Sequence, residues 1–323
     1  MSITVLLSDP EWDAPFYKIL APNDTGEAVG HQAGIVIPKA LRDYFPRLSD
    51  SGSYLEPTND HYIAADLFLG TKFLGSVRTR YQYQTWGGTR PAESRLTDQL
   101  TQLRDRARGG DIAIFQRRLD DLEHFRIVLV RASSPDAAEI KNKLGPSRWG
   151  ILGRVTPVTT ADFQKASAEE TAKELLPFSL FQPDAATTMA TTLKVARSII
   201  FKSRVNSLYL NSCSVCGSGI RSPRGLREVE AAHIVPRSRF GADDPRNGLC
   251  LCRTHHWCFD KGLFGINDDR RIIVPKSVSQ MGPNTALSSL RGQPIREASE
   301  PSMMASPQAL EWHRKNVLLD QAA

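Results

Sequence analysis

Two short spacings in this chain bring together residue types that bind metal. Cys213-Ser-Val-Cys216 sets two thiols either side of a two-residue gap, and Cys252-Arg-Thr-His255 repeats the gap with a thiol and an imidazole. Such a gap lets a tight turn aim both side chains at one ion, and zinc takes four sulfur or nitrogen ligands in a tetrahedron. The two pairs together predict a closed Cys3His zinc site, structural because no position is left open. All five cysteines lie between residues 213 and 258, and the rest of the 323 residues have none. A secreted disulfide scaffold would spread them through a short chain, so that class is excluded. A redox C-x2-C pair, or plain buried thiols, would leave the second pair unexplained. Cys250 and Cys258 fall outside the pattern and read as apolar packing, although Cys250 could compete with Cys252 for the metal.

A second set of polar residues is interleaved with the first. His256 and Asp260 are four apart, so on a helix they share a face and could hold one cation between them. An imidazole and a carboxylate that leave positions open suit Mg²⁺, Mn²⁺ or another divalent cation at a catalytic site. His233 ends an apolar run before Pro236, and an imidazole facing such a site could take a proton from water. Asn247 before Gly248 signals a hairpin or loop. A lone histidine is more often a satisfied core residue; it is the whole constellation that favours catalysis.

The string Cys213-x2-Cys216, Ala232-His233-Ile-x-Pro236, Asn247-Gly-Leu-x-Leu-Cys252-x2-His255-His256-x3-Asp260-x-Gly262 resembles the HNH nucleases, whose core is a β-hairpin followed by a helix around one catalytic cation. The resemblance covers residues from about 211 to 275. It implies that His233 is the general base, that Asn247 braces the hairpin loop and is part of the catalytic set, and that His256 with Asp260 binds the catalytic metal. Many members carry an Asp or His immediately before the base as a further ligand. This chain has Ala232 there; Glu230, two residues upstream and on the same strand face, or water would have to fill the position.

These groups need elements to position them. From about 30 to 135 the chain reads as mainly β, with strand-length apolar runs at Gly34–Ile37, Tyr62–Leu69, Ile112–Phe115 and Phe125–Val130 between turn residues. Helices are expected at Pro38–Phe45 and Ser94–Arg108, the latter from the spacing of Leu96, Leu100 and Leu103. Thr160–Leu176 and Ala185–Leu210 read as helices, Lys276–Glu300 as an extended surface segment, and Ser306–Leu318 as a closing helix with an N-cap and Pro in its first turn. The expected fold class is α+β. A mainly β pseudobarrel is expected over residues 1–155, a helical linker over 156–210, and, as the HNH resemblance implies, a zinc-stabilised ββα-metal nuclease domain over 211–323.

Charge supports an anionic partner. The chain has 41 Lys and Arg against 35 Asp and Glu, a net charge of +6. Between Lys194 and Arg271 the excess is +7, so the basic surplus is concentrated around the candidate site. Arg237 and Arg239 follow the base and suit a phosphate backbone. In the N-terminal part Arg78, Arg80, Arg90 and Arg95 alternate with Tyr81, Tyr83 and Trp86, and Trp86-Gly-Gly-Thr-Arg90 could bring an aromatic ring and a guanidinium to a base. The tyrosines are equally well explained as interior strand residues.

His31-Gln-x-Gly34-Ile-x-Ile-Pro38, Thr85-Trp-Gly-Gly-Thr-Arg90-x2-Glu93-x-Arg95-Leu-Thr97 and Gly110-Asp-Ile-x-Ile-Phe115 resemble the DNA-binding pseudobarrel of the EcoRII effector domain and its plant transcription-factor relatives. With an HNH module attached, the chain resembles the Mcr-type modification-dependent restriction endonucleases. That likeness implies double-stranded DNA as partner and a methylated or otherwise modified target. A restriction endonuclease for unmodified sites, a nicking or homing-type nuclease, and a non-catalytic zinc-stabilised DNA-binding regulator are the alternatives. A degraded regulator would have lost one of His233, Asn247, His256 and Asp260, and all four are present. One active site per chain would require a homodimer for a double-strand cut. No apolar run approaches the ~18–20 residues of a membrane span, and Met1–Pro10 lacks the basic start of a secretory signal. A cytoplasmic protein is expected.

Overall fold

The apolar runs of the first half pair into one eight-stranded sheet. Its strands are β1 (Phe16–Ile19), β2 (Ile35–Ile37), β3 (Thr58–Leu69), β4 (Lys72–Gln84), β5 (Glu93–Leu96), β6 (Ile112–Arg117), β7 (His124–Val130) and β8 (Trp149–Ile151). They lie in the order β2-β5-β4-β3-β7-β6-β1-β8, and β3 with β7 is the parallel pair in an otherwise antiparallel ladder. The computed structural model describes residues 2–9, 11–27, 34–48, 58–85, 91–119, 121–182, 191–222 and 227–319. By its internal contacts the chain divides into two units, Met1–Phe163 and Gln164–Ala323.

The first unit is a curved half-barrel buried on both faces, which is why its central strands read as continuous apolar runs and not as an alternation. Phe125, Ile127 and Leu129 of β7 enter one core with Ala113 and Phe115 of β6. Val128, Val130, Ile112 and Ile114 point the other way, under α1 (Ile3–Leu7) and α3 (Pro135–Ile140). Phe45 sits in the first of these cores, its ring 4.8 Å from Tyr81 and 4.9 Å from Phe125 in stacked geometry. The expected helix at Pro38–Phe45 is a 3-10 turn, Lys39–Tyr44. The expected helix at Ser94–Arg108 is divided: Glu93–Leu96 is β5, and α2 covers Thr101–Arg104. Leu96 pairs with Ile35 and Tyr81 across two strands and is fully buried there, so sheet pairing overrides the helical spacing.

The second unit is built on a hairpin, β9 (Val229–His233) and β10 (Gly248–Cys252), in the register His233 with Gly248 through Val229 with Cys252. Helix α4 (Thr160–Glu174) crosses the division between the units, and α5 (Thr191–Leu208) follows it. Phe201 and Val205 of α5 approach β10 so closely that a Cβ on Gly248 would meet the Val205 methyl at 2.5 Å. The segment expected as a linker is thus part of the hairpin's packing. Arg197 pairs with Glu169 at 2.6 Å, and Arg204 with both Glu174 and Glu300 at 2.8 Å, so α5 is also held to the end of α4. Helix α6 (Arg253–Asp260) starts directly from β10. The small hairpin β11 (Gly265–Ile266) and β12 (Ile272–Ile273), short helices α7 (Lys276–Ser279) and α8 (Thr285–Ser288), and α9 (Pro307–Asn316) complete the unit. The segment expected to run extended over the surface buries Val278, Leu287, Ile295 and Ala298 in the same core as the hairpin. Among the described residues no helix is long and apolar enough to cross a membrane.

The packing of α9 on α6 has a titratable centre. His313 is buried, stacks on Phe259 at 3.7 Å, and donates from Nε2 to the Phe259 carbonyl at 3.0 Å. Its Nδ1 is buried with no partner among the described residues, and burial pushes the imidazole down to about 4 from its ordinary 6.5. An unfolded histidine therefore takes up a proton that the folded one refuses. The stability present above about pH 6.5 is lost as pH falls towards about 4, by an amount on the order of 3 kcal/mol. Denaturant unfolding of the second unit at both ends of that window should show this loss in the wild type and a clearly smaller one in His313→Gln. Equal losses in the two proteins would remove His313 as the cause.

Candidate functional site

The Cys3His ligands meet. Cys213, Cys216, Cys252 and His255 place one donor atom each within 4.8 Å of one another, the one such group of three or more among the described residues. Cys213 Sγ lies 3.6 Å and Cys252 Sγ 3.1 Å from His255 Nδ1, and Cys216 Sγ lies 4.0 Å from Cys252 Sγ. A tetrahedral ion with Zn–S of about 2.3 Å sets donor separations of roughly 3.5–3.8 Å, and the three observed distances bracket that range, so the donor set is compatible with zinc. Local backbone makes the knuckle: Gly217 has a left-handed φ of +73°, its amide donates to the Cys213 carbonyl at 2.8 Å, and the Cys213 amide donates to Ser218 at 2.7 Å. Cys252 is both the last residue of β10 and the N-cap of α6, which puts His255 in the first turn.

The thiols are unequal. Burial opposes ionisation of Cys213, but His255 and the amides of Cys216, Cys252 and Val215 outweigh it and bring the thiol down to about 6. Burial, reinforced by the neighbouring Cys213 charge, pushes Cys252 up to about 12. Cys250 is also pushed up to about 12 by burial, and burial raises Cys258. Neither belongs to the four-ligand group.

On the hairpin, His233 is held on two sides. Its Nε2 lies 2.9 Å from Asp243 Oδ1, and its ring stacks on Phe201 at 3.9 Å and 12°. Asp243 also faces Arg237 Nε at 3.6 Å. Burial disfavours the Asp243 carboxylate, but the hydrogen bond to His233 and the charges of Arg237 and Lys173 hold it below the usual carboxylate range. Asn247 is wholly buried in the loop that closes the hairpin. Its Oδ1 accepts from the Val235 amide at 2.9 Å, and its Nδ2 donates to the carbonyls of Val235 at 3.0 Å and Ala242 at 2.9 Å. Gly241 is required beside it, because a Cβ there would sit 1.9 Å from the Val235 carbonyl oxygen.

The other imidazole is met by two carboxylates. His256 Nδ1 is 2.9 Å from Glu230 Oε2, and His256 Nε2 is 3.6 Å from Asp260 Oδ2. Glu230 and Ala232 share one side of β9 by strand alternation, and Val229, Ala231 and His233 share the other. The structure thus brings His256, Asp260 and Glu230 into one group and His233, Asp243 and Arg237 into another. Sequence reading left Asp243 out of the site, and only its place in the loop between His233 and Asn247 hinted at it. Phe201 carries no signal in sequence, being one apolar residue of an ordinary helix.

The arginines differ in availability. Arg239 is exposed, whereas Arg237 donates to the Gly241 carbonyl at 2.5 Å as well as facing Asp243. In the first unit Arg78 is exposed beside the Tyr62 ring, at 5.8 Å. Arg80 is half-buried near Asp60 and Asp98. Arg95, expected on a reading surface, is buried and paired with Glu93. Tyr81 belongs to the core, and Tyr83 carries Arg42 over its ring at 5.3 Å. Trp86, Arg90 and His31 lie outside the described residues.

Residues 213–267 match the family model described as HNH endonuclease, so the knuckles, hairpin and α6 form an HNH endonuclease domain. None of the curated proteins matches the chain. Among solved structures, a modification-dependent TagI restriction endonuclease is similar at 15% identity, covering 94% of this chain and 100% of that one with a TM-score of 0.33. The B3 domain of UbaLAI restriction endonuclease, solved with cognate DNA, is similar at 18% identity over 42% of this chain and 83% of that one, with a TM-score of 0.30. These scores are too low to carry the fold or activity of this chain, which rest on its own residues.

The fit of the four donors has a direct test. The purified chain should carry one zinc that Cys213→Ser loses, with the second unit no longer unfolding cooperatively. Metal analysis and denaturant melts measure both, and full zinc in the variant would reject the ligand set.

Proposed function

We propose that this chain is a restriction-type DNA endonuclease that hydrolyses phosphodiester bonds, with His233 as general base and a divalent cation at His256 and Asp260. The observation that carries this reading is that one hairpin and the helix after it present two imidazoles, each already turned by a carboxylate, inside the HNH-matching segment. The Cys3His site is the structural zinc site; it ties the knuckle before the hairpin to the start of α6.

His256 is the metal-binding imidazole. Glu230 is acceptor-only when ionised, so the 2.9 Å contact puts the proton of His256 on Nδ1 and leaves Nε2 with a lone pair. Asp260 Oδ2 lies on that Nε2 side at 3.6 Å, a separation one hard cation can bridge. Glu230 thus orients the ligand and does not replace the one missing at Ala232. Bound there, Mg²⁺ or Mn²⁺ would supply Lewis-acid stabilisation of the phosphate's developing charge. His233 takes the proton from the attacking water, and Asn247 keeps in shape the loop that follows His233 and carries Asp243. Arg239, Arg237 and the exposed Arg253 meet the DNA backbone.

The first unit reads the target, double-stranded DNA, with Arg78 and Arg80 and, outside the described residues, Trp86 and Arg90. A modified base, such as a methylated cytosine, is the proposed target, because the pseudobarrel motifs and the HNH string together resemble the Mcr-type modification-dependent enzymes. Cutting both strands takes a homodimer, and the setting is the cytoplasm.

With Mg²⁺ or Mn²⁺, the wild type should cut plasmid carrying modified cytosine or adenine and leave the matched unmodified plasmid intact. Equal cutting of both would retain the nuclease and reject the modified target. His233→Ala should lower cleavage by about 10²–10⁴-fold while DNA binding, read by gel shift, is retained. Undiminished cutting by that variant would reject the base.

A further inference from the structure

We propose that Asp243 is the positioning residue for His233, fixing the ring proton on Nε2 so that Nδ1 is the nitrogen that takes the proton from water. The inference rests on the reading of His233 as the base and adds which atom acts and what aims it.

The contact itself decides the tautomer. A carboxylate can only accept, and Asp243 Oδ1 lies 2.9 Å from Nε2, so Nε2 must carry hydrogen. In the neutral imidazole the lone pair is then on Nδ1. Among the described residues Nδ1 has no hydrogen-bond partner, and the His233 side chain keeps 18% of its surface exposed. Rotation of the ring is limited on its flat side by Phe201, itself wholly buried, at 3.9 Å and 12°. Ring plane and tautomer are thus set by two different elements, α5 and the hairpin loop.

Asp243 is in turn held. Its amide approaches Gln182 Oε1 at 3.4 Å, and its second oxygen faces Arg237 at 3.6 Å. Charged groups reach it from the end of α4 as well: Lys173 favours its ionised form, and the buried Glu170, paired with Lys173 at 2.6 Å and flanked by Arg197, opposes it. When Nδ1 takes a proton from water, hydroxide oxygen bonds to phosphorus and the P–O bond to the leaving sugar oxygen breaks with its electron pair. The imidazolium so formed stands against the Asp243 carboxylate, which stabilises the charge as it appears.

The test uses the full zinc-loaded chain and its variants Asp243→Asn, Asp243→Glu and His233→Ala. Plasmid cleavage is followed from about pH 5 to about pH 9, and ring-nitrogen NMR reports the tautomer of His233. Asp243→Asn should lose at least ~10-fold in rate, up to the ~10²–10⁴-fold that a general base contributes. Its acid limb should move to lower pH, because the imidazolium loses its carboxylate while Arg237 and Lys173 remain. The Nε2–H preference of His233 should weaken, and Asp243→Glu should recover part of the rate. Wild-type rate, acid limb and tautomer in a folded Asp243→Asn would overturn the proposal. If that variant does not fold, the wild-type spectrum decides, since an Nδ1–H ring overturns the proposal and an Nε2–H ring supports it. An active His233→Ala would instead remove the base itself, an outcome separable from an inactive His233→Ala beside a normal Asp243→Asn.

Discussion

The second unit depends on bringing three sulfurs and one nitrogen from two distant stretches of chain within 4.8 Å. Thirty-six residues separate Cys216 from Cys252, and a span of that length closes at an entropic cost of several kcal/mol unless something holds it. Zinc bound at the Cys3His cluster, as proposed, would supply the hold, and the cluster's location does more than close a loop. Cys252 ends β10 and caps α6, so whatever fixes Cys252 fixes the axis of the helix that carries His256 and Asp260. A shift at the knuckle is therefore a shift of the candidate cation site. The same segment explains why the cysteines cluster although catalysis is assigned to other residues.

A second constraint is the hairpin's two-sidedness. His233 stacks on Phe201 of α5, while Glu230, on the other side of the strand, reaches His256 of α6. Alternation along five residues is enough to hand the two imidazoles to different supports. Each then gains a carboxylate at 2.9 Å. Both carboxylates also face arginines, Asp243 with Arg237 at 3.6 Å and Glu230 with Arg253 at 3.3 Å, but the +7 excess between Lys194 and Arg271 already includes them, and the local field remains favourable to a polyanion.

What could be read beforehand follows the range of the interaction. Cys-x2-Cys, Cys-x2-His and the four-residue step from His256 to Asp260 are local geometry, and local geometry is legible from spacing. Asp243 and Glu230 are ten and twenty-six residues from the imidazoles they orient, and only the folded hairpin makes them neighbours. Phe201 reaches His233 from another helix and was invisible for the same reason. In the first unit the strand runs were legible because both sheet faces are buried. Leu96, Leu100 and Leu103 keep a helical spacing all the same, yet Leu96 is claimed by pairing with β2 and β4. Ser, Gly and Pro between 276 and 300 suggested a surface segment, but four widely spaced apolar residues suffice to anchor short turns in the core.

Ala232 is the departure from the family pattern with the widest consequence. Its side chain is fully buried and pairs across the hairpin with Leu249, on the side where Glu230 reaches His256. A methyl group offers no ligand, and Glu230 is already engaged through Nδ1 of His256. On the proposed reading the cation is left with two protein donors, Nε2 and the Asp260 carboxylate, and the remaining positions fall to water and the DNA phosphate. Hard cations such as Mg²⁺ retain water readily and bind through one or two carboxylates plus substrate phosphate. Binding of metal and of DNA would then be coupled, because the phosphate is itself part of the coordination shell. Carboxylate support of His256 matters more in such a sparse site than in a full one, since each remaining protein ligand carries a larger share of the orientation.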